Sequence, residues 1–301
     1  MRDQNSRFNQ FTEECLQLSP RRYRRVSELR KHSPDYDVYI CGSDQIWNPS
    51  KQNGLDPACF LDFGPDSIRR VSYAASFGGS AIDKRYHNEL SRYLSGLDCI
   101  SIREGSGRDL VKQFSGRDCH IVPDPTFLVD LDDLTQRSGA TSVCSGKIFS
   151  YVLRSGQGLY DFQRELSESL KLGLVQPLNP HQRWKSYGDV VPMSPFEWLR
   201  AIRESSAVIT NSFHGTVFAI LANRPFLSVR LSGAKSFLNE RMEYLINSLG
   251  LETRQISLDQ VENGAGLMQE PIDWDLVNSR ISKMRKNGVA FLEAALSCKP
   301  S

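Results

Sequence analysis

The segment that most constrains the fold is "AVITNSFHGTVFAILANRPFLSV", residues 207–229. It contains a short apolar strand, a small polar turn, an apolar helix that ends before Pro225, and a second apolar strand. Two strands joined by a helix over so few residues are typical of parallel neighbours connected by a crossover. The segment therefore predicts a parallel sheet covered by helices.

The same alternation occurs on both sides of residues 131–146, "LDDLTQRSGATSVCSG", which are polar, small and without periodicity. This composition is typical of a linker. Strand-like runs such as "DVYIC", "RRVSYAAS" and "DCISI" precede it, and "KIFSYV" follows it. We therefore predict the α/β class with two parallel-sheet domains, residues 1–135 and 146–301, and a long closing helix over 273–296.

Composition excludes several classes of protein. The chain has 301 residues, of which 40% are apolar and 24% charged, and its net charge is +2. These values predict a soluble globular protein without a general attraction to nucleic acid, and no apolar run reaches the roughly 20 residues of a membrane span. Seven scattered cysteines without a CxxC pair predict buried thiols in the cytoplasm, with no metal site. We interpret the basic run 21–32 as a solvated helix face in preference to a binding patch.

Polar side chains follow the strand in "YDVYICGSDQIWNP", residues 36–49. The strand stops at Gly42 and is followed by Ser43, Asp44, Gln45 and Trp47. The carboxyl ends of strands in an open α/β sheet are where ligands bind, so this cluster can be a site. A plain turn capped by Asp44 explains the stretch equally well.

Two further strand ends carry charged groups. Arg103 and Glu104 follow the strand in "SIREGSG", and a guanidinium pairs well with phosphate or carboxylate. The alternative is an ordinary surface ion pair. Asp124, between the prolines of "VPDPT", is either a carboxylate held by a rigid turn or only a chain corner.

The turn "NSFHG" precedes a helix whose free N–H groups predict an anion site at Gly215 and Thr216. Ser212 can donate to a phosphate or carboxylate, and His214 can bind an anion or transfer a proton. In the alternative interpretation Asn211 or Ser212 only caps the helix and His214 is structural. The chain has no strand followed by GxGxxG, no P-loop, no HExxH and no GxSxG, which disfavours several other enzyme classes.

In order, the motifs "YDVYICGSDQIWNP", "FLDFG", "VSYAASFG", "SIREGSG", "VPDPTFL", "TNSFHGTVFAILANRPFLSV" and "RMEYLINSLGL" resemble the polysaccharide pyruvyl transferase family. The resemblance implies two Rossmann-like domains in a glycosyltransferase-B-like arrangement. It implies transfer of the enolpyruvyl unit of phosphoenolpyruvate to two hydroxyls of a sugar, which forms a cyclic pyruvate ketal. Phosphoenolpyruvate is then a donor substrate, and no cofactor is expected.

The family's donor-site arginine in "S-x-R-E" corresponds to Arg103, and its histidine before glycine corresponds to His214. In the mechanism that this suggests, Arg241 and the Gly215 and Thr216 N–H groups help Arg103 to hold the donor. His214 is the general acid. Asp44 or Asp124 accepts the hydroxyl proton. Residues 43–47 then form the acceptor side, with Trp47 stacking on a sugar face.

The chain departs from the family pattern at two places. Ser212 stands where members often carry an arginine, so a cation on the donor phosphate can be missing or supplied elsewhere, and the donor can differ. In addition, the first domain is expected to be shortened at its N-terminus. The expected acceptor is a sugar or a lipid-linked oligosaccharide of a cell-surface or exopolysaccharide precursor, with peripheral membrane contact and oligomeric state left open. The alternatives are a sugar-nucleotide glycosyltransferase, with Glu204 as a ribose ligand, and a truncated non-catalytic binding protein.

Overall fold

The computed structural model describes residues 2–49, 54–136, 143–153, 156–179, 185–233, 239–258 and 263–297. The chain divides into two compact units. We call residues 18–129, 237–245 and 278–301 the four-stranded unit, and residues 1–17, 130–236 and 246–277 the six-stranded unit.

The sheet of the four-stranded unit has the order β1-β2-β3-β4, and all of its neighbours are parallel. Its strands are β1 (Val38–Cys41), β2 (Arg69–Ala75), β3 (Cys99–Ile102) and β4 (His120–Ile121). Their apolar side chains enter two clusters: Ile100 and Ile102 pack with the helices that follow β2 and β3, whereas Val71 and Tyr73 pack with Phe291 of the closing helix. Strand β2 is buried on both faces, since Ala75 enters the first cluster and Val71 and Tyr73 enter the second.

The sheet of the six-stranded unit has the order β10-β9-β8-β5-β6-β7 and is also parallel. Its strands are β5 (Ile148–Tyr151), β6 (Leu174–Pro177), β7 (Asp189–Val191), β8 (Ala207–Thr210), β9 (Phe226–Val229) and β10 (Gln255–Ile256). The predicted strand–helix–strand segment is confirmed, because β8 and β9 pair in parallel in register.

α-Helices occur along the whole described part of the chain. They are α1 (Arg2–Cys15), α2 (Val26–Lys31), α3 (His87–Ser95), α4 (Gly105–Ser115), α5 (Leu131–Gln136), α6 (Gln157–Leu170), α7 (Pro195–Glu204), α8 (Phe213–Leu221), α9 (Glu240–Leu249), α10 (Gly264–Gln269) and α11 (Trp274–Ser297). In α6, Leu159, Phe162 and Leu166 form the buried stripe. Helix α7 begins with Pro195 after a capping box in which Ser194 and Glu197 satisfy each other's backbone N–H groups.

The units do not coincide with the predicted domains 1–135 and 146–301, so those boundaries need correction at both ends of the chain. Helix α1 belongs to the six-stranded unit, because Arg7 forms an ion pair with Glu197 at 2.7 Å and Phe11 packs edge-on against Phe196. The end of α11 belongs to the four-stranded unit, where Arg69 donates to the carbonyl oxygen of Ala295 at 3.1 Å. Local periodicity cannot predict contacts between residues that are so far apart in the sequence.

The predicted linker 131–146 is in part helical. Leu131 and Thr135 are buried in α5, and Asp132 forms an ion pair with Arg203 of α7 at 2.7 Å. Residues 137–142 of this segment lie outside the described residues.

Candidate active site

The first cluster of candidate residues lies at the carboxyl ends of β1 and β3. Strand β1 ends next to β2 at Gly42, whose φ is +125°, and a Cβ there would lie 1.9 Å from the Tyr73 carbonyl oxygen. Only glycine permits this close approach. The chain then turns and brings Ser43 and Asp44 beside the residue that follows β3, Arg103.

Arg103 is buried, with 5% of its surface exposed, and is held by a carboxylate from the next strand end. Its Nη1 donates to Oδ2 of Asp124 at 2.8 Å. Asp124 is 2% exposed and also accepts hydrogen bonds from Ser43 Oγ at 2.6 Å and from Thr126 Oγ1 at 2.7 Å. These three donors fix Asp124, which in turn fixes the guanidinium plane.

Asp124 therefore acts through Arg103. The earlier assignments of Asp124 as a substrate ligand or proton acceptor need correction, since its carboxylate is enclosed by protein donors. Ser43 likewise uses its hydroxyl hydrogen on Asp124. Thr126, which sequence reasoning did not identify, is the remaining support, and its position directly after the Pro-Asp-Pro turn was the available signal.

Two guanidinium groups converge on the carboxylate of Asp44. Arg241, near the start of α9, donates from Nη1 to Asp44 Oδ1 at 2.9 Å, and Arg103 Nη2 lies 3.5 Å from the same oxygen. Burial, followed by the charge of Arg103, lowers the pKa of Arg241. The side chain of Asp44 is 49% exposed, whereas that of Arg103 is almost fully enclosed. Guanidinium groups also pair with phosphate and with substrate carboxylates, so an incoming anion can compete with the half-exposed carboxylate of Asp44.

Glu104 adds a buried carboxyl group to the cluster. Its Oε2 lies 3.7 Å from Nε of Arg103. Burial raises the pKa of Glu104, and the charge of Arg103 opposes this effect. A buried carboxyl group whose pKa is raised by loss of solvent is more readily protonated than an exposed one.

Trp47 does not belong to the site, and the prediction that it stacks on a sugar was wrong. Its side chain is fully buried and lies parallel to Phe60, with ring centroids 5.0 Å apart, and its Nε1 donates to the Cys59 carbonyl oxygen at 2.9 Å. Gln45 is also buried, and its Oε1 accepts from Asn48 Nδ2 at 3.3 Å. Both side chains stabilise the loop after β1, because the apolar residues of "QIW" fold back into the core.

The second cluster lies in the six-stranded unit, where β8 is followed by α8. The helix begins at Phe213, so His214 lies in its first turn and not in the preceding loop as predicted. Ser212 is the N-cap, its Oγ accepting from the Gly215 N–H at 3.4 Å, while the Thr216 N–H donates to the Ser212 carbonyl oxygen at 3.0 Å. The prediction that these two N–H groups bind an anion needs correction, because the helix already uses them.

The remaining residues of this turn support the local structure. Oδ1 of Asn211 accepts from the Leu153 N–H at 2.8 Å, which links the turn to the loop after β5. A Cβ on Gly215 would lie 2.3 Å from Oγ1 of Thr210 and 3.1 Å from Cδ1 of Tyr151. Gly215 thus permits α8 to pack closely on β8 and β5. Thr216 is fully buried.

His214 is half-buried and lines a cavity of about 760 Å³. The cavity lies at the carboxyl ends of β5 and β6 and is walled by aromatic side chains, among them Tyr151, Trp198 and Phe218. Sequence reasoning did not identify Tyr151, although it ends a buried strand as Cys41 does in β1. Imidazole can transfer protons to a ligand in such a cavity.

The parts of the chain that the structure describes contain neither a candidate metal site nor a candidate membrane span. Within them, no three His, Cys, Asp or Glu side chains gather in a way that could hold a metal ion. Over the same residues, no helix combines the length and the apolar character needed to cross a membrane.

Parallel sheets whose strand ends carry the candidate side chains place the protein among those with two Rossmann-like domains. Comparison with solved structures confirms this fold class, which is that of glycosyltransferase-B proteins. A putative UDP-N-acetylglucosamine 2-epimerase from Listeria monocytogenes matches with a TM-score of 0.60 and 15% identity over 99% of this chain and 81% of that one. UDP-GlcNAc 2-epimerase from Neisseria meningitidis, bound to UDP-GlcNAc, matches with a TM-score of 0.57 and 13% identity over 91% and 79%. At these identities the likeness shows the fold alone.

The chain belongs to the polysaccharide pyruvyl transferase family, whose model matches residues 2–233. The predicted family is thereby confirmed. The comparison with curated proteins gave no significant match.

Proposed function

We propose that the protein transfers the enolpyruvyl unit of phosphoenolpyruvate onto two hydroxyls of a sugar, forming a cyclic pyruvate ketal and releasing phosphate. The observation that carries this proposal is the convergence of Arg103 and Arg241 on one carboxylate, Asp44, at the carboxyl ends of β1 and β3. Membership of the pyruvyl transferase family supports it.

The donor carries about three negative charges near neutral pH, so its site requires cationic donors. In our proposal the donor's carboxylate or phosphate takes the place of the Asp44 carboxylate between the two guanidinium groups. Asp124 keeps Arg103 in position through their 2.8 Å contact while this exchange occurs. Asp44, once displaced, is available to accept a proton from a sugar hydroxyl.

The reaction adds a proton and two sugar hydroxyls to the double bond carbons of the donor and eliminates phosphate. A proton from His214 adds to the methylene carbon of the donor, which becomes a methyl group and leaves an oxocarbenium-like centre at C2. A sugar hydroxyl attacks C2 and loses its proton to a base, for which we propose Asp44. The C2–O bond to phosphate then breaks, phosphate leaves, and the second hydroxyl attacks C2 and gives up its proton. The products are the ketal and inorganic phosphate.

The donor site is tested by the melting temperature with and without phosphoenolpyruvate. At 100 times its dissociation constant the donor should stabilise the wild type by about 2.7 kcal/mol. Arg103→Lys keeps the buried charge but loses the planar fork, so it should abolish most of the shift. Arg85→Gln, at an exposed position outside the cluster, is the matched control and should keep the shift. The proposed donor site would be refuted if phosphoenolpyruvate raised the melting temperature of Arg103→Lys as much as that of the wild type. It would also be refuted if phosphoenolpyruvate did not raise the melting temperature of a cooperatively melting wild type.

Asp44→Asn is expected to increase the affinity for phosphoenolpyruvate several-fold while lowering turnover. The amide no longer competes as an anion for Arg103 and Arg241, but it cannot accept the hydroxyl proton. Isothermal titration with the donor alone measures the first effect, and phosphate release with acceptor present measures the second. Weaker donor binding in Asp44→Asn would show that Asp44 positions the arginines instead of occupying the anion's place.

The alternative functions are tested in the same assay. The carboxylate suggested as a ribose ligand, that of Glu204, pairs with Arg200 Nε at 2.7 Å within α7. Stabilisation by UDP-sugars without any by phosphoenolpyruvate would support that alternative. Stabilisation by neither would support a non-catalytic protein. A sugar or lipid-linked oligosaccharide acceptor and a cytoplasmic location stay predictions.

A further inference from the structure

The cavity beside His214 has the size and place of a small-molecule site. Its volume, about 760 Å³, lies within the range of roughly 300–1,000 Å³ usual for ligand pockets. It is lined by residues 150–153 at the end of β5 and residues 176–179 at the end of β6. In doubly wound sheets these strand ends are where ligands bind.

Aromatic rings form one wall of this cavity. The indole of Trp198 packs edge-to-face with Tyr151, at a centroid distance of 4.9 Å, and with Phe218, at 5.5 Å. Each ring is held by its neighbours, so the wall is preformed. Rigid aromatic rings offer large apolar contact area at little cost in conformational entropy.

The polar groups of the lining are uncharged amides, a hydroxyl and an imidazole. Gln176 donates from Nε2 to the Tyr187 carbonyl oxygen, which orients the amide and leaves Oε1 as an acceptor. Asn179, Ser150 and His214 also line the cavity. Among the described lining residues none is Asp, Glu, Lys or Arg. The cavity therefore differs in kind from the arginine cluster of the four-stranded unit.

We propose that this cavity is the acceptor subsite and holds an uncharged pyranose ring against Trp198 and Tyr151. A pyranose has an apolar C–H face that matches an aromatic wall and hydroxyls that match amide and imidazole groups. This inference rests on the proposed function, and it reverses the expectation that residues 43–47 hold the acceptor. The cations of the four-stranded unit suit a charged donor, and the cavity, whose described lining has no Asp, Glu, Lys or Arg, suits a neutral sugar.

The proposal also assigns specificity. The amides of Gln176 and Asn179 and the imidazole of His214 can distinguish hydroxyl configurations, whereas the aromatic faces contact any pyranose alike. A uronic acid should bind more weakly than a neutral sugar, since the described lining has no Lys or Arg side chain to pair with its carboxylate.

Binding is measured without phosphoenolpyruvate, by saturation-transfer NMR and titration. The probes are neutral methyl glycosides of gluco, galacto and manno configuration, their 2-acetamido counterparts, and a methyl glucuronoside. We expect at least one neutral glycoside to bind, at least tenfold tighter than the glucuronoside. Trp198→Leu should weaken this binding at least tenfold, whereas Trp274→Leu, which lies outside the cavity lining, should not.

A second variant, Leu153→Trp, tests the proposal independently in case Trp198→Leu does not fold. Leu153 is 45% exposed at the edge of the cavity, so Leu153→Trp should fold normally and fill the space, again weakening glycoside binding. Arg103→Lys should bind glycosides as the wild type does, which separates this test from that of the donor site. The proposal is overturned if no neutral glycoside binds, if the glucuronoside binds as tightly as the neutral glycosides, or if Leu153→Trp and Trp198→Leu both bind normally.

Discussion

Asp124→Ala should lower the free energy of unfolding by about 3–5 kcal/mol, because it leaves the Arg103 guanidinium buried without its closest carboxylate. The same change leaves Ser43 Oγ and Thr126 Oγ1 without their acceptor. Donor binding should fall as well, since Arg103 loses its fixed orientation. Denaturant unfolding at neutral pH, together with the donor-dependent shift, measures both effects. Asp124→Asn keeps an acceptor oxygen but no charge, so its free energy of unfolding should lie between those of the wild type and Asp124→Ala.

Glu104→Gln is the matched control for Asp124→Ala, because it removes a second buried carboxyl group beside the same arginine. Burial raises the pKa of Glu104, so the folded state binds its proton more tightly than the unfolded state. The wild type should therefore lose stability relative to Glu104→Gln as pH rises from about 4, the ordinary carboxyl range, towards neutrality. Equal losses for Asp124→Ala and Glu104→Gln at pH 7 would contradict the distinct roles given to the two carboxyl groups.

His214→Gln should reduce the rate of ketal formation by about 10²–10⁴-fold, the usual contribution of a general acid. The amide can still form hydrogen bonds in the cavity but cannot deliver a proton to the donor's methylene carbon. The phosphoenolpyruvate-dependent shift should be unchanged, because Arg103 and Arg241 are intact. Single-turnover phosphate release in the presence of a glycoside acceptor measures the rate.

His32→Gln is the appropriate control for that experiment, since His32 is exposed at the end of α2 and belongs to neither cluster. Its rate should equal that of the wild type. If His214→Gln also retains the wild-type rate, the proton comes from another group. Glu104, a buried carboxyl group next to Arg103, is the next candidate to replace.

Much of the secondary structure was predictable from local pattern. Short apolar runs bounded by Gly, Pro or polar clusters correspond to β1, β3, β8 and β9, and the parallel class follows from the helices between them. The start of α8 was placed three residues late, at Thr216, because the sequence does not show which polar residue caps a helix. Strand β10 has only two residues, too few for any periodicity.

Burial of single aromatic residues was not predictable. Trp47 follows a strand end just as a ligand-binding residue would, and Phe60, its stacking partner, is supplied by a short 3-10 helix further along the chain. Trp198, on helix α7, instead lines the cavity that also contains His214. The two tryptophans differ only in what the tertiary structure packs around them.

The sequence by itself determined the α/β class, the family, and the strand ends at which polar side chains gather. Only the tertiary structure decided which of these side chains meet. Asp124 lies 21 residues from Arg103, Ser43 lies 60 residues from Arg103, and Arg241 lies 197 residues from Asp44. The physical reason is that periodicity reports burial along one element, whereas contacts across crossovers depend on how the sheet and its covering helices pack.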